Sequence, residues 1–298
     1  MSTAPNTEDW TVARLLQWTR GYFEKQRVES PRLCAEILLA HAMKCERIEL
    51  YTRYELVPAE DVLTPFRESV KQAASGRPIA YLTGIKEFFS LPFEVTPDVL
   101  IPRPETEVLV ERVVHMVRRG GVAAGTILDL CTGSGNIAVS LAKNLPDVAL
   151  FASDLSEAAL AVAKRNAEKH AVGERIEFRY GDLFMPWKGQ MFDVIICNPP
   201  YIGLSEKPDL PANVRDHEPA IALFGGQDGY ELLRRLAAEA PAHLSPAGHF
   251  LTEIAYSQGA KTRELFADAG WRDIQTYRDG LGEERAIHAR WRSGEGVS

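Results

Sequence analysis

Apolar positions along this chain follow one period up to about residue 85 and another beyond it. From Asp9 to Gln26, Trp10, Leu15, Leu16, Thr19, Tyr22 and Phe23 fall at roughly helical spacing, which predicts an amphipathic helix. Ser30-Pro31 reads as an N-cap with proline at the first helical position. It opens a second helix through about Cys45, with Ile37, Leu38 and His41 inward. A third helix runs from about Pro58 to Ser75 and stops at Gly76. Phe88 to Pro97 then mixes aromatic and β-branched residues with prolines, the pattern of an edge hairpin. A helix starts within Ile101–Glu107 and runs to about Arg119.

After Gly120-Gly121 the chain alternates short apolar runs with helical stretches, as a doubly wound sheet requires. Strands are predicted at Thr126–Cys131, Val148–Ser153, Ile176–Tyr180, Phe192–Cys197 and His249–Ile254. Helices are predicted at Asn136–Asn144, Glu157–His170, from about Gly229, and over 258–268, with two closing strands near 272–277 and 285–291. The organisation expected is a helical part (1–85), a hairpin linker (86–104) and an α/β part (105–298).

Composition narrows the class. At 298 residues, 45% hydrophobic and 25% charged, the chain is that of a soluble globular protein with ample core. No apolar run approaches the ~18 residues of a membrane span, and Met1–Thr7 has the features of no secretory signal. Cys34, Cys45, Cys131 and Cys197 form no CxxC pair and do not cluster with the seven histidines. A disulfide scaffold or a metal site is therefore not expected, and a cytoplasmic setting is. The net charge of −7 resides wholly in residues 86–298, which argues against a general nucleic-acid binder.

Asn198-Pro199-Pro200-Tyr201 carries the most chemistry. It ends the apolar strand Phe192–Cys197, and neither proline offers an N–H to a ladder. The residue before proline is held extended, so Asn198 is fixed at the strand's carboxyl end, where open α/β sheets bind ligands. The Asn198 side-chain oxygen and the Pro199 C=O can each accept an N–H of a planar NH₂ group, and Tyr201 can stack on its plane. The alternative is a tight turn. At ~5% per residue, however, the tetrapeptide should arise by chance in on the order of one in a thousand chains of this length.

Asp129-Leu130-Cys131-Thr132-Gly133-Ser134-Gly135-Asn136 joins the first strand of the sheet to its helix. Its glycines let backbone pass under a ligand that meets the following helix N-terminus. Asp154, ending the next strand, is placed to accept both hydroxyls of a ribose. An adenosine cofactor follows, either S-adenosylmethionine or a nicotinamide dinucleotide, since Gly133–Ala138 also fits GxGxxA. Asp129 favours the former, because a carboxylate there can meet a positively charged amino-acid moiety. Gly181-Asp182-Leu183 is placed to flank the adenine or forms a plain turn.

Together these residues resemble the class I S-adenosylmethionine-dependent methyltransferases, and more closely the HemK/PrmC family. That closer resemblance rests also on Phe89–Phe93, Ile101-Pro102-Arg103-Pro104-Glu105-Thr106-Glu107, Val214 through Glu218-Pro219, and Gly225-Gly226-Gln227-Asp228-Gly229. It implies a Rossmann-like seven-stranded sheet with its last strand antiparallel, a small all-α N-terminal domain that docks substrate, and a connecting β-hairpin. It implies methylation of the glutamine side-chain nitrogen in the GGQ motif of peptide chain release factors, leaving S-adenosylhomocysteine. Cofactor contact is implied for residues 131–135, Asp154, Leu183 and Asn198, substrate contact for 198–201, and pocket walls for Pro102, Arg103 and Glu105. Cys131 stands where the family has its first loop glycine, and Ala255 where it usually has glycine. The string Gly225-Gly226-Gln227 reads as a turn before a helix, not as a self-substrate. A monomer is expected, and charge and hydropathy predict no direct nucleic-acid or membrane partner. A ribosomal-protein glutamine methyltransferase, a DNA or RNA amino-methyltransferase and a non-enzymatic cofactor-binding module are the other classes these motifs admit.

Overall fold

A computed structural model describes residues 10–120, 122 and 125–291. The predicted helix start at Asp9, the Met1–Thr7 segment and Gly121 lie outside the described residues. The chain divides into two compact units, one of residues 1–84 with Ala212–His217, the other of Ile85–Pro211 with 218–298.

The first unit is helical: α1 (Val12–Lys25), α2 (Pro31–Met43), α3 (Arg47–Thr52), α4 (Glu60–Ala74) and α5 (Ile79–Thr83). In α1 the Thr11 hydroxyl accepts from the Arg14 amide, and Val12, Leu15, Thr19 and Phe23 form the buried stripe. Val12, Leu15 and Phe23 pack with Leu38, Leu39, Leu50, Phe66 and Val70 into one apolar core. Ser30 is the N-cap of α2 with Pro31 at its start, as expected, although its backbone is left-handed and its side chain makes no cap bond. One expectation fails here. His41 is exposed, because α2 buries Ala35, Leu38 and Leu39 instead.

The second unit begins with a hairpin of β1 (Ile85–Phe88) and β2 (Leu91–Glu94). Its turn residues Phe89 and Ser90 both have positive φ, 50° and 59°, the conformation that hairpin turns usually assign to Asn-Gly. The Phe89 amide donates to Glu107 Oε1 at 2.8 Å, and Phe88 and Phe93 are fully buried, which together outweigh the turn strain. Then come α6 (Glu107–Arg118), β3 (Thr126–Leu130), α7 (Asn136–Asn144), β4 (Ala149–Asp154), α8 (Glu157–Lys169), β5 (Ile176–Tyr180) and β6 (Phe192–Cys197). Two four-residue helices, α9 (Ala212–Arg215, in the first unit) and α10 (Ala220–Leu223), precede α11 (Glu231–Glu239). The unit closes with β7 (Leu244–Glu253), α12 (Gly259–Asp268), β8 (Arg272–Arg278) and β9 (Glu284–Arg290). β7 begins five residues before its predicted start.

The strands form one seven-stranded sheet in the order β5-β4-β3-β6-β7-β9-β8, parallel except that β9 runs antiparallel to both neighbours. Side chains alternate across it as strand geometry demands. Ile127, Val194 and Ile196 join the core under α6 and α7, whereas Leu128, Leu130, Ile195 and Cys197 join the core with Leu236 of α11, Phe266 of α12 and Trp271. Parallel strands covered on both faces need such continuous apolar runs. Strand order reverses at β3, which pairs with β4 on one side and β6 on the other. The crevice above those three carboxyl ends is the place a ligand occupies in such sheets.

Candidate active site

A cavity of about 220 Å³ lies at that crevice. Its walls take Cys131, Thr132, Gly133 and Ser134 from the loop after β3, Ser153, Asp154, Leu155 and Ser156 from the end of β4, and Gly181, Asp182 and Leu183 after β5. Asn198 and Pro200 close it beyond β6, with Pro102, Arg103 and Thr106 before α6 and Ile221, Ala222, Phe224 and Leu232 from the segment around α10 and α11.

Asp154 organises the loop opposite it. Its Oδ2 accepts from the Gly133 amide at 2.8 Å and its Oδ1 from the Ser156 amide at 2.9 Å. Burial raises its carboxyl above the usual range, while the amides of Gly133, Ser156 and Leu155 pull it down. Each carboxylate oxygen keeps lone-pair capacity for a further donor. A Cβ on Gly133 would meet nothing within 4 Å, so the backbone here is bare to the cavity. These are the features a ribose and a methionine chain need, and the residues present fit S-adenosylmethionine.

Cys131 takes φ 56°, a backbone favouring glycine. Its thiol lies against Cys197, whose own thiol is raised by burial and by Cys131. The side chain is thus drawn toward the core beneath the loop, which is how the chain accommodates a residue other than glycine there.

Two predicted cofactor residues do not reach the cavity wall. Asp129 is fully buried beneath the loop, where Oδ2 accepts from the Thr132 hydroxyl at 2.6 Å and the Ala138 amide at 3.2 Å. Burial pushes its carboxyl up to about 7, against those hydrogen bonds. In this way its Oδ2 shapes the loop, while its Oδ1 has no hydrogen-bond partner among the described residues. Gly135 faces α8 instead, where a Cβ would sit 3.1 Å from Ala163 Cβ; it is small so that two helices can approach. Asp182 lines the cavity, but its carboxylate is held by Arg235 at 2.9 and 3.1 Å. Leu183, buried and at φ 43°, lines it as expected.

Around Asn198 the arrangement is more specific than the motif alone suggested. Asn198 Nδ2 donates to Thr106 Oγ1 at 3.2 Å. Neither Asn198 Oδ1 nor the Pro199 carbonyl accepts a hydrogen bond from a described residue. Tyr201 does not line the cavity; its hydroxyl donates to Glu253 Oε1 at 3.1 Å. Burial and the neighbouring carboxylate raise that phenol. Burial also pushes the Glu253 carboxyl up to about 7, opposed by the Thr106 and Tyr201 hydroxyls and by Arg285. Pro199 and Glu105 lie off the wall as well. Arg103 is held at the wall by Glu218, which also accepts from the Ile101 amide at 3.2 Å.

Sequence reasoning missed Thr106, Glu253, Arg235 and Asn166. Asn166 sits fully buried on α8; its side chain accepts from the Glu94 amide at 2.7 Å and donates to Glu94 O at 3.0 Å and Ser134 O at 2.9 Å. It joins the hairpin to the cofactor loop. A lone polar residue on the apolar face of a predicted helix was the available signal.

Comparison with known proteins gives the same picture. Residues 14–84 match the family described as PrmC N-terminal domain and residues 104–210 the Methyltransferase small domain. A release factor glutamine methyltransferase of Rhodopirellula baltica is 42% identical over 96% of this chain and 98% of its own length. One of Geobacter sulfurreducens is 40% identical over 95% and 98%. Among solved structures, a methyltransferase from Pyrococcus furiosus superposes with TM-score 0.51 at 19% identity, over 74% of this chain and 96% of that one. This last likeness shows the class I methyltransferase fold alone. The similarity to the curated relatives runs through both the helical unit and the catalytic sheet, and by it the chain belongs to the release factor glutamine methyltransferase family.

Proposed function

We infer that this chain transfers the methyl group of S-adenosylmethionine to the side-chain amide nitrogen of the glutamine in the GGQ motif of peptide chain release factors, in the cytoplasm and as a monomer. The observation that carries the reading is Asn198: a side-chain oxygen without a hydrogen-bond donor among the described residues, fixed at a strand end beside a cavity that Asp154 also lines. The names of the relatives support the same substrate class.

Asp154 would hold the ribose, the backbone of 131–134 the methionine portion, and the turn at 181–183 the adenine. When bound, S-adenosylmethionine supplies a methyl on a positively charged sulfur. The protein's task is orientation, because an amide nitrogen is a poor nucleophile with a delocalised lone pair. Asn198 Oδ1 and the Pro199 carbonyl accept the two N–H hydrogens, which turns the nitrogen's face toward the cavity. Positioning of this kind supplies roughly 7–11 kcal/mol in model systems. The carbonyl dipoles also stabilise positive charge developing on the nitrogen. Pro102 and Arg103 wall the pocket, and the proton leaves to water.

The helical part, up to about residue 85, would dock the protein substrate. An exposed aromatic cluster on and beside α1 supports this: Trp18 stacks on Tyr22 at 5.2 Å and meets Trp10 edge-on at 6.2 Å, with the tryptophans 53% and 43% exposed. Such surfaces mark protein contacts.

The test is incubation of the protein with labelled S-adenosylmethionine and separated release factors, ribosomal proteins and nucleic acid. Label confined to the release-factor glutamine supports the reading; label in another fraction alone overturns it. Trp18→Ala should raise KM for intact factor and leave cofactor affinity unchanged; an unchanged KM removes this surface from docking.

A further inference from the structure

We propose that Thr106 and Glu253 are positioning residues that fix which end of the Asn198 amide faces the cavity. This rests on the reading above, in which Asn198 Oδ1 receives an N–H of the substrate. An asparagine amide has nearly the same shape after a half-turn, so sterics alone do not decide whether it presents an acceptor or a donor. With the donor outward, Asn198 would repel the NH₂ group it must hold.

The structure supplies the missing choice. Thr106 is 1% exposed and receives Asn198 Nδ2 at its Oγ1. A threonine hydroxyl has one proton, so the orientation of Asn198 depends on where that proton goes. The Thr106 hydroxyl also acts on the Glu253 carboxyl, 1% exposed, favouring its ionised form; the Tyr201 hydroxyl donates to its Oε1, while Oε2 has no hydrogen-bond partner among the described residues. An ionised carboxylate only accepts. The Thr106 proton is therefore directed to the carboxylate and its lone pair to Asn198, which leaves Nδ2 inward and Oδ1 outward. The register explains the meeting: Cys197 of β6 pairs with Thr252 of β7, so Asn198 and Glu253 leave adjacent strands side by side. Neither Thr106 nor Glu253 donates or accepts anything in the transfer itself.

A pH signature follows. The groups facing Glu253 are Tyr201 beyond β6, Thr106 and Glu105 before α6, and Arg285 on β9. Burial holds its carboxyl at about 7, so protonation below that value would remove the acceptor that polarises Thr106.

The experiment measures kcat, KM and cofactor affinity for Thr106→Val, Thr106→Ser and Glu253→Gln on a release factor. Thr106→Val should lower kcat by about tenfold or more with cofactor affinity within about threefold, and Thr106→Ser should recover most of the loss, as for a preorganised polar contact. In the parent, kcat should rise with pH through about 7, and this limb should be absent in Glu253→Gln. A kcat for Thr106→Val within about twofold of the parent, no rescue by serine, or an unaltered limb in Glu253→Gln overturns the inference. Failure of the parent protein itself to methylate the factor would sink the functional reading instead.

Discussion

Replacing Asp154 by alanine isolates the cofactor half of the site. In this reading the carboxylate accepts both ribose hydroxyls, each a charge-assisted hydrogen bond worth ~1.5–3 kcal/mol. Losing two costs about 3–6 kcal/mol, which at 1.4 kcal/mol per decade weakens binding roughly 10²–10⁴-fold. The structure adds a second loss, since the carboxylate also anchors the Gly133 and Ser156 amides, so the bare loop should loosen as well. Asp154→Asn keeps the volume and one acceptor oxygen, and should fall between the parent and alanine. Calorimetry with both S-adenosylmethionine and S-adenosylhomocysteine is the assay, because the two share the ribose and differ at sulfur. Both should lose affinity by the same factor while the ratio between them stays constant. Unchanged affinity for either, or a loss confined to one, refutes the placement of Asp154 at the ribose.

Three further outcomes are expected. Asn198→Ala should lower single-turnover rates by about 10²–10³, with Asn198→Asp milder because an acceptor oxygen remains; near-normal transfer at saturation refutes orientation by Asn198. Asn166→Ala removes hydrogen bonds at both Glu94 and Ser134 and leaves buried backbone groups unpaired, at about 2–4 kcal/mol in urea unfolding; a loss below about 1 kcal/mol excludes the bridge. For Asp129 the folded pKa, about 7, lies above its ordinary value, so its stability contribution is full in acid and is lost as pH rises through that value. The Tm of Asp129→Asn should therefore gain on the parent between about pH 4 and pH 8, and a pH-independent difference would remove the buried charge from the account.

The fold was legible because its signals are local. Continuous apolar runs such as Phe192–Cys197 can be only buried strands or buried helix, and Asn-Pro-Pro excludes the helix. The helix start at Asn136, the hairpin around Phe89 and the antiparallel end of the sheet followed from turn chemistry, alternation and resemblance. What was not legible depends on pairs far apart in sequence. Asp129 looks like a cofactor ligand beside Gly133, yet the Thr132 hydroxyl and the helix behind it take one of its two oxygens. Asp182 looks free until Arg235, on a helix 53 residues later, reaches it. Tyr201 looks like a stacking platform until Glu253, 52 residues later on the neighbouring strand, captures its hydroxyl. No periodicity reports such contacts, since each partner reads locally as an ordinary polar residue.

The aim of Asn198 therefore rests on backbone as much as on side chains, and the segment 225–229 bears this out. Two prolines deprive the strand end of donors, so neighbouring backbone must hold it. Ile202 N donates to Leu223 O at 3.0 Å, Gly225 N to Ile202 O at 2.9 Å, and Gln258 Nε2 to Tyr201 O at 3.0 Å. A Cβ on Gly225 would lie 2.4 Å from the Pro200 carbonyl oxygen, and one on Gly229 2.4 Å from that of Tyr201. Gly225 does not have a positive φ, so Gly225→Ala tests that approach without backbone strain. The carbonyl cannot yield without moving Pro200, and with it the plane of the Asn198 and Pro199 acceptors. The expected result is a fall in turnover of about 10-fold or more, with cofactor affinity nearly retained because Asp154 and its loop lie on other strands. If Gly225→Ala turned over normally, the strand end would be less rigid than its prolines and its packing imply. Orientation would then have to come from the substrate loop settling on the protein instead of from a site already shaped to receive it.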